Sequence, residues 1–187
     1  LAVDRTFNLT GAGLIVTGTV FSGTTQVGDR LVLSPQGLPA RIRSIHAQNQ
    51  ESQTGSVGQR CALNLTGAGV DRAAVNRGDW VLAGGAHAPT DRFDGLIRVL
   101  PSEHRPLRHW TPVHVHVGAK DVTGRVAMLE DWHIDPRQQS MVQLVIDEPI
   151  GAVRGDRLIL RDQSARRTIA GGMVLDPFSP QRGRRKP

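Results

Sequence analysis

The stretch from Phe7 to Leu33 constrains the fold more than any other part of this chain. It is rich in β-branched and apolar residues, and it lacks the apolar periodicity of a helix. Its glycines and the Gly28-Asp29 step supply the positive-φ positions that tight reversals need, so the stretch predicts three consecutive strands. Three strands cannot cover both of their faces, and we therefore expect further strands to close a sandwich or a barrel.

A Gly-Asp pair followed by apolar residues occurs three times, at Gly28-Asp29, Gly78-Asp79 and Gly155-Asp156. Each copy predicts a turn that leads into a strand, and the distance of the third copy from the others favours two similar β units. The segment 84–90 between the units has the small, polar composition of a linker. The interpretation is an all-β chain with two tandem antiparallel β-barrels, residues 1–86 and 91–176, followed by a basic linker, 177–187.

Alternation of apolar and polar residues adds strands to the first unit. The segment 57–65 places Cys61, Leu63 and Leu65 on one face, and Arg60, Ala62 and Asn64 on the other. The segment 40–47 alternates in the same way, which predicts a half-exposed strand. The polar segment 48–56 has no periodicity and is predicted to be a loop.

Composition narrows the class of protein. In 187 residues the chain has 39% hydrophobic residues, 21 glycines and 11 prolines, which is typical of a folded chain with many turns. Its single cysteine, Cys61, excludes an internal disulfide and fits a reducing compartment. No segment is long and apolar enough for a membrane helix, so we expect a cytoplasmic protein with no membrane partner.

The net charge of +6 is concentrated at the end of the chain. Arg182, Arg184, Arg185 and Lys186 supply four of these charges, and the remainder of the chain carries only +2. The tail is either a solvated linker or an arm that contacts nucleic acid. Because the chain opens directly on a strand and without an initiator Met, we expect it to be a fragment of a longer protein.

Motifs for catalysis, nucleotide binding and metal binding are incomplete. The glycines near Gly11 do not form a phosphate-binding loop, and Asp121-Val122-Thr123-Gly124 matches the short D-x-x-G element of GTPases without a P-loop upstream. His114 and His116 could share a strand face, but a zinc site normally needs more protein ligands than these two. The sequence has no nucleophile-elbow motif around a serine, and no ordered serine, histidine and carboxylate that would indicate a catalytic triad. We therefore expect no catalytic residues, no metal site and no cofactor in this chain.

The segment from Phe7 to Asp29 reads F-x-x-x-G-x-G-x-x-V-T-G-T-V-x-S-G-x-x-x-V-G-D. This pattern resembles the start of the β-barrel second domain of translational GTPases of the elongation factor Tu type. Residues 111–126 and 160–174, with a D-V-T-G strand and an R-R-T strand, resemble the third domain of the same factors. The resemblance covers Val3 to about Asp176. It implies that the two barrels bind aminoacyl-tRNA, while GTP and Mg belong to a separate amino-terminal domain.

Eight residues are the candidate RNA-binding site. Four of them, Asp4, Arg5, His46 and Arg60, are polar residues at strand ends or on a non-core face. By themselves they indicate ordinary solvated charges. The resemblance implies that they surround the esterified amino acid, and that four more surround the terminal adenosine, although core packing is an equal explanation for Leu9, Ile15 and Thr17. The aminoacyl group is Asp4, Arg5, His46 and Arg60, and the adenosine group is Leu9, Ile15, Thr17 and Asn64.

Three short segments are similar to the selenocysteine-specific members of this family: Val3-Asp4-Arg5, the H-A-Q-N-Q that begins at His46, and Gly58-Gln59-Arg60. A selenol ionises far more readily than a serine hydroxyl, so two arginines offer an electrostatic means of selecting selenocysteine. The resemblance implies binding of selenocysteinyl-tRNA and the ribosome, an mRNA hairpin held by a further carboxy-terminal region, and a monomer. The alternative is a partner-docking barrel, as in initiation factors and sulfate-adenylylating GTPases, where the same residues would be unremarkable surface charges.

Overall fold

The computed structural model describes residues 1–11 and 13–180, and the chain divides into two compact units, Leu1–Ala88 and a second that begins at Pro89. The described residues contain strands and turns, one short 3₁₀ helix at Gly84–Ala86 and no α-helix. The strands of unit 1 are β1 (Ala2–Leu9), β2 (Gly13–Thr19), β3 (Thr24–Gln26), β4 (Arg30–Ser34), β5 (Leu38–Ala47), β6 (Gln50–Ser52), β7 (Thr54–Ser56), β8 (Arg60–Thr66) and β9 (Trp80–Leu82).

Unit 1 is a closed barrel of antiparallel strands. The order is β4-β9-β1-β2-β8-β5, and β5 pairs with β4 to close the ring. Strand β6 adds to the outer edge of β5, and β3 pairs with β7 in a separate ribbon. Each barrel strand contributes buried apolar side chains to one core. Members of this core are Val3, Val16, Leu33, Ile42, Ile45, Leu63 and Val81.

Unit 2 is a second closed antiparallel barrel, and two short strands form a ribbon beside it. The strands are β10 (Thr90–Val99), β11 (Leu107–Arg108), β12 (Thr111–Val117), β13 (Lys120–Met128), β14 (His133–Ile134), β15 (Gln139–Ile150), β16 (Arg157–Asp162) and β17 (Thr168–Asp176). The barrel order is β10-β15-β13-β12-β16-β17, and β11 pairs with β14. Its core includes Phe93, Ile97, Val115, Val126, Leu144, Leu160 and Val174.

The predicted fold class, two tandem antiparallel barrels, is confirmed. The predicted domain limits of 1–86 and 91–176, and the linker at 177–187, stay predictions. Residues 181–187 of that linker lie outside the described part of the chain.

The three Gly-Asp turns have the same geometry. The glycine φ angles are 95°, 88° and 93° for Gly28, Gly78 and Gly155. Each aspartate carboxylate accepts a hydrogen bond from the backbone N–H three residues earlier, at 2.8, 2.8 and 2.9 Å. The glycine N–H and the aspartate C=O then pair with one buried residue of a neighbouring strand, which is Ile42, Val3 and Val174 respectively. The repeat is therefore a structural unit that joins a turn to the barrel wall.

Two further copies of this turn were not predicted from the sequence, because they lack the Gly-Asp pair. Gly58 has φ of 84° and pairs with Val20, and Arg137 has φ of 73° and pairs with Val99. In both copies the backbone N–H of the positive-φ residue and the C=O of the next residue bond to the partner. These turns are recognised by their backbone conformation. In the second copy Arg137 occupies a position whose positive φ normally favours glycine.

The prediction of a loop at 48–56 is wrong, because β6 and β7 lie within that segment. Gln48 and Asn49 have φ of 52° and 66°, which gives the tight reversal that returns β6 along β5. The side chains of β6 are mostly solvated and only Gly55 of β7 is buried, so no alternation marks these strands. Their pairing depends on backbone hydrogen bonds to β5 and β3.

Candidate functional site

Four neighbouring strands of unit 1 bring most of the predicted site residues onto one outer face. The register places Arg5 of β1 opposite Thr17 of β2, Thr17 opposite Ala62 of β8, and Ala62 opposite His46 of β5. Side chains alternate across a strand, and the intervening residues, such as Val16, Leu63 and Ile45, belong to the core. This row therefore points away from the core.

The next row on the same face begins at Phe7 and continues across β2, β8 and β5. Phe7 lies opposite Ile15, Ile15 opposite Asn64, and Asn64 opposite Ser44. The predicted adenosine residues Ile15 and Asn64 are therefore direct neighbours of each other and lie one row from Thr17. Leu9 lies at the end of β1, opposite Gly13.

A β-bulge aims Asp4 at this face. The register of β1 against β2 shifts between Val3 and Arg5, which leaves Asp4 as the extra residue. The carboxylate of Asp4 accepts a hydrogen bond from Thr17 Oγ1 at 2.6 Å. It accepts two more from Arg60, from Nε to Oδ2 at 3.0 Å and from Nη2 to Oδ1 at 2.9 Å. Asp4, Thr17 and Arg60 thus form one connected cluster, although Asp4 and Arg60 are 56 residues apart in the chain.

The electrostatics of this cluster keep Asp4 ionised. Partial burial acts to raise the pKa of Asp4, but the hydrogen bonds from Thr17 and Arg60 and the charges of Arg60 and Arg5 outweigh it and lower that pKa below its ordinary value. The side chains of Arg60 and Asp4 are 59% and 40% exposed, so the pair contributes little to folding stability. Its geometry fixes the guanidinium of Arg60 on the outer face.

Arg5 and His46 lie at the two ends of the same row, and both are exposed. Within residues 1–11 and 13–180, neither side chain has a hydrogen-bond or ion-pair partner. Glu51 of β6 faces His46 across the strand pair, so that end of the row is less cationic than the end at Arg5. Together with Arg60, which lies on the same face, Arg5 can therefore offer a pair of guanidinium groups to an anion in solvent-accessible surroundings.

The adenosine group is only partly assembled. Ile15 is half-buried and Thr17 is 9% exposed because Asp4 and Arg60 cover it, while Leu9 is 54% exposed. Ile15 and Leu9 do not belong to the core of unit 1, so core packing does not account for these two residues. Asn64 Oδ1 is buried and has no hydrogen-bond partner in the part of the chain that the structure describes.

Phe7 is the residue that the sequence reasoning missed. Its side chain is 37% exposed and lies opposite Ile15, between Arg5 and Leu9 on the outward positions of β1. Phe7 is two residues from both Arg5 and Leu9, and residues two apart on a strand share a face, so this spacing could have identified it.

The site is an open surface and differs from a cavity. A cleft of about 500 Å³ in unit 1 is lined by residues such as Phe21, Arg30 and Trp80, and it contains none of the eight predicted residues. A broad face of this kind can accommodate part of a macromolecule more readily than a small molecule, which would need an enclosing pocket.

Comparison with known proteins shows which proteins the chain resembles. Residues 94–181 match the family model described as the selenocysteine-specific elongation factor beta-barrel domain, and residues 13–82 match elongation factor Tu domain 2. Over all 187 residues the chain is 46% identical to the selenocysteine-specific elongation factor of Escherichia coli strain K12. Along its whole length the chain is similar to one segment of the selenocysteine-specific elongation factors.

A second relative and a solved structure were also found. The selenocysteine-specific elongation factor of Haemophilus influenzae is 41% identical over 98% of this chain. The chain spans 28% and 29% of the lengths of these two relatives. A crystal structure of sup35 complexed with GDP superposes with a TM-score of 0.83 over 95% of this chain and 47% of that chain. At 17% identity, the latter comparison supports the fold alone.

Among residues 1–11 and 13–180, no three His, Cys, Asp or Glu side chains are grouped so that they could hold a metal ion. His114 and His116 instead flank the carboxylate of Asp121, at 3.0 and 3.7 Å. Within the same residues, no helix has the length and apolar character needed to cross a membrane.

Proposed function

We propose that this segment binds the aminoacylated end of selenocysteinyl-tRNA within a selenocysteine-specific elongation factor. The observation that carries the proposal is the cluster in which Asp4 and Thr17 hold Arg60 beside the exposed Arg5, on one outer face of unit 1. The similarity to these relatives supports the substrate class, since the matched relatives are named for selenocysteine.

The two arginines would select the esterified residue by its charge. Selenocysteine is an anion at neutral pH and serine is neutral, so a fixed guanidinium interacts strongly with only the first. Asp4 accepts hydrogen bonds from Nε and Nη2 of Arg60, which leaves Nη1 able to face a ligand. Arg5 adds a second cation whose side chain is exposed. A hydrogen bond to a charged group contributes about 1.5–3 kcal/mol, which is enough for useful discrimination.

The neighbouring row would hold the terminal adenosine. Phe7, Ile15 and Leu9 offer apolar surface for the base, and the buried Asn64 Oδ1 is an acceptor that an amino group of the base would satisfy. His46, at the far end of the first row, would contact the esterified amino acid. The adjacency of the two rows supports these roles.

The longer protein would supply the remaining functions. We place GTP hydrolysis, with GTP and Mg, in a separate amino-terminal domain, and contact with an mRNA hairpin in a carboxy-terminal region that follows the 177–187 linker. The whole protein would act as a monomer on the ribosome in the cytoplasm. The docking-barrel alternative has less support, because the relatives that are 46% and 41% identical to this chain are named as selenocysteine-specific elongation factors.

The direct test compares affinities of the full-length protein for selenocysteinyl-tRNA and seryl-tRNA that differ only in the esterified residue. We expect much tighter binding of selenocysteinyl-tRNA at neutral pH. Equal affinities would remove the electrostatic mechanism, even if both RNAs bound.

A further inference from the structure

Unit 2 carries an exposed aromatic patch next to the β11–β14 ribbon, formed by Trp110, His109 and Trp132. The two tryptophans are 47% and 72% exposed. The ring of His109 lies between them, with centroid distances of 5.9 Å to Trp110 and 5.5 Å to Trp132. None of the three side chains belongs to the core of the barrel. The core of unit 2 therefore gives no account of why three rings gather here.

Backbone and side-chain contacts hold the aromatic patch in place. The ribbon is anchored by Leu107 and Ile134, which are 6% and 2% exposed and belong to the core. The backbone N–H of His109 donates to Trp132 O at 3.0 Å. The backbone N–H of Met128 donates to His109 Nδ1 at 3.1 Å, which orients the ring and assigns the proton of the neutral imidazole to Nε2.

Trp110 has an unusual backbone conformation. Its φ of 65° lies in the left-handed region, which is unfavourable for a bulky side chain. Its backbone N–H donates to Val126 O at 2.7 Å, so the surrounding strands impose this conformation. Residues held in such conformations occur preferentially at functional sites. The conformation leaves the indole at the surface, half exposed.

Two arginines flank the rings. The guanidinium of Arg125 lies 6.0 Å from the ring centroid of Trp110, and its Nη1 donates to Trp110 O at 3.4 Å. Arg108 is exposed and lies opposite His133 in the ribbon. Arg108 and His133 line an open cleft of about 500 Å³, together with Pro106, His109 and Trp132.

Acidic residues also lie nearby and limit where an anion could bind. Glu130 is engaged by the hydroxyl of Ser140 at 2.9 Å, and Asp135 lies 3.7 Å from His133 Nε2. Asp131, next to Trp132, is exposed. We therefore expect an anionic group to approach Arg108 or Arg125 and to avoid the Asp131 side of Trp132.

We propose that the aromatic patch binds an unpaired nucleotide of an RNA strand, as a second RNA contact in addition to the aminoacyl site of unit 1. The base would stack on the exposed indole of Trp132, and a neighbouring phosphate would bind Arg108. Exposed aromatic rings with flanking guanidinium groups are the usual means of holding single-stranded nucleic acid. A protein partner fits less well, because the cleft is lined by aromatic, cationic and proline side chains and offers no aliphatic residue.

The test measures binding of a short, unstructured oligouridylate to this chain by fluorescence anisotropy, with tryptophan quenching as a second readout. Stacking of one base gives a difference of roughly tenfold in affinity. Trp132→Ala should weaken binding by about that factor, and Trp132→Phe should retain most of it because it keeps a ring. Arg108→Gln should weaken binding and lower its salt dependence by the equivalent of one phosphate contact.

Controls separate the proposal from general effects. Phe178→Ala removes another exposed aromatic ring of unit 2, which is 62% exposed, and should leave binding unchanged. Arg30→Ala removes an exposed arginine of unit 1 that lies outside the aminoacyl site, and it should also leave binding unchanged. The aminoacyl site is tested separately with selenocysteinyl-tRNA, so failure here is distinguishable from failure there. The proposal is overturned if oligouridylate does not bind, if Trp132→Ala binds as well as the parent, or if duplex RNA competes as well as the single strand. Capture of an acidic peptide in preference to RNA would assign the aromatic patch to a protein partner.

Discussion

Replacing Arg60 by alanine in the full-length protein provides the sharpest test of the aminoacyl site. The substitution removes two hydrogen bonds to Asp4 and the guanidinium that Asp4 and Thr17 orient. Because Arg60 and Asp4 are 59% and 40% exposed, loss of their ion pair should change the free energy of unfolding by no more than about 1 kcal/mol. Any large change in RNA affinity would then report on ligand contact.

The expected loss is confined to selenocysteinyl-tRNA. A hydrogen bond from a guanidinium to an anion contributes about 1.5–3 kcal/mol, so affinity should fall by roughly ten- to a hundredfold. Seryl-tRNA and uncharged tRNA lack the selenolate and should bind almost as before. A phosphate-binding arginine would behave differently, since its removal weakens binding of every tRNA and lowers the salt dependence.

The assay is equilibrium binding of the three tRNAs at neutral pH and fixed salt, by nuclease or hydrolysis protection. Arg30→Ala is a matched control, because Arg30 is exposed in the same barrel but lies on β4, outside the β1-β2-β8-β5 face. Arg60→Lys keeps the charge but not the bidentate geometry and should give an intermediate loss. Equal losses for all three tRNAs on removing Arg60 would refute the selenolate contact and assign Arg60 to the RNA backbone.

Three further predictions concern stability, and each is checked by denaturant unfolding of this chain. The folded-state pKa of Asp4 is below its ordinary 3.8, so the contribution of Asp4 to stability is complete above that value and is lost as pH falls through the lower folded-state pKa. Asp4→Asn should therefore flatten the pH dependence of the unfolding free energy below about pH 4. An unchanged pH profile would contradict the lowered pKa. A Cβ at Gly172 would lie 2.0 Å from Leu96 O, whereas one at Gly171 would meet only Leu158 O at 3.7 Å, so Gly172→Ala should destabilise the chain by about 1–3 kcal/mol and by clearly more than Gly171→Ala. Arg137 has φ of 73°, and Arg137→Gly should stabilise by up to about 1 kcal/mol through relief of the left-handed strain; a loss of stability would show that the arginine side chain makes a compensating contact.

Much of the architecture could be predicted from local patterns in the sequence. Alternation along β8 correctly divided Cys61 and Leu63 from Arg60 and Asn64, because side chains of a strand alternate whatever its neighbours are. The Gly-Asp pairs identified three turns for a similar reason, since a positive-φ glycine and a capping carboxylate are properties of a few consecutive residues. These signals do not extend to β6 and β7, whose side chains are solvated, or to the turn at Arg137, whose conformation is not encoded by a glycine.

The composition of the candidate site was decided by the tertiary structure. Asp4 and Arg60 meet because β1, β2 and β8 are adjacent in the barrel, and that order depends on pairing between segments far apart in the chain. The bulge that turns Asp4 toward Thr17 arises from a register shift against β2, which no pattern within β1 reveals. Phe7 joins the site for the same reason, through its position opposite Ile15. The sequence by itself determines which side chains can face outward, and the pairing of distant strands determines which of them share a face.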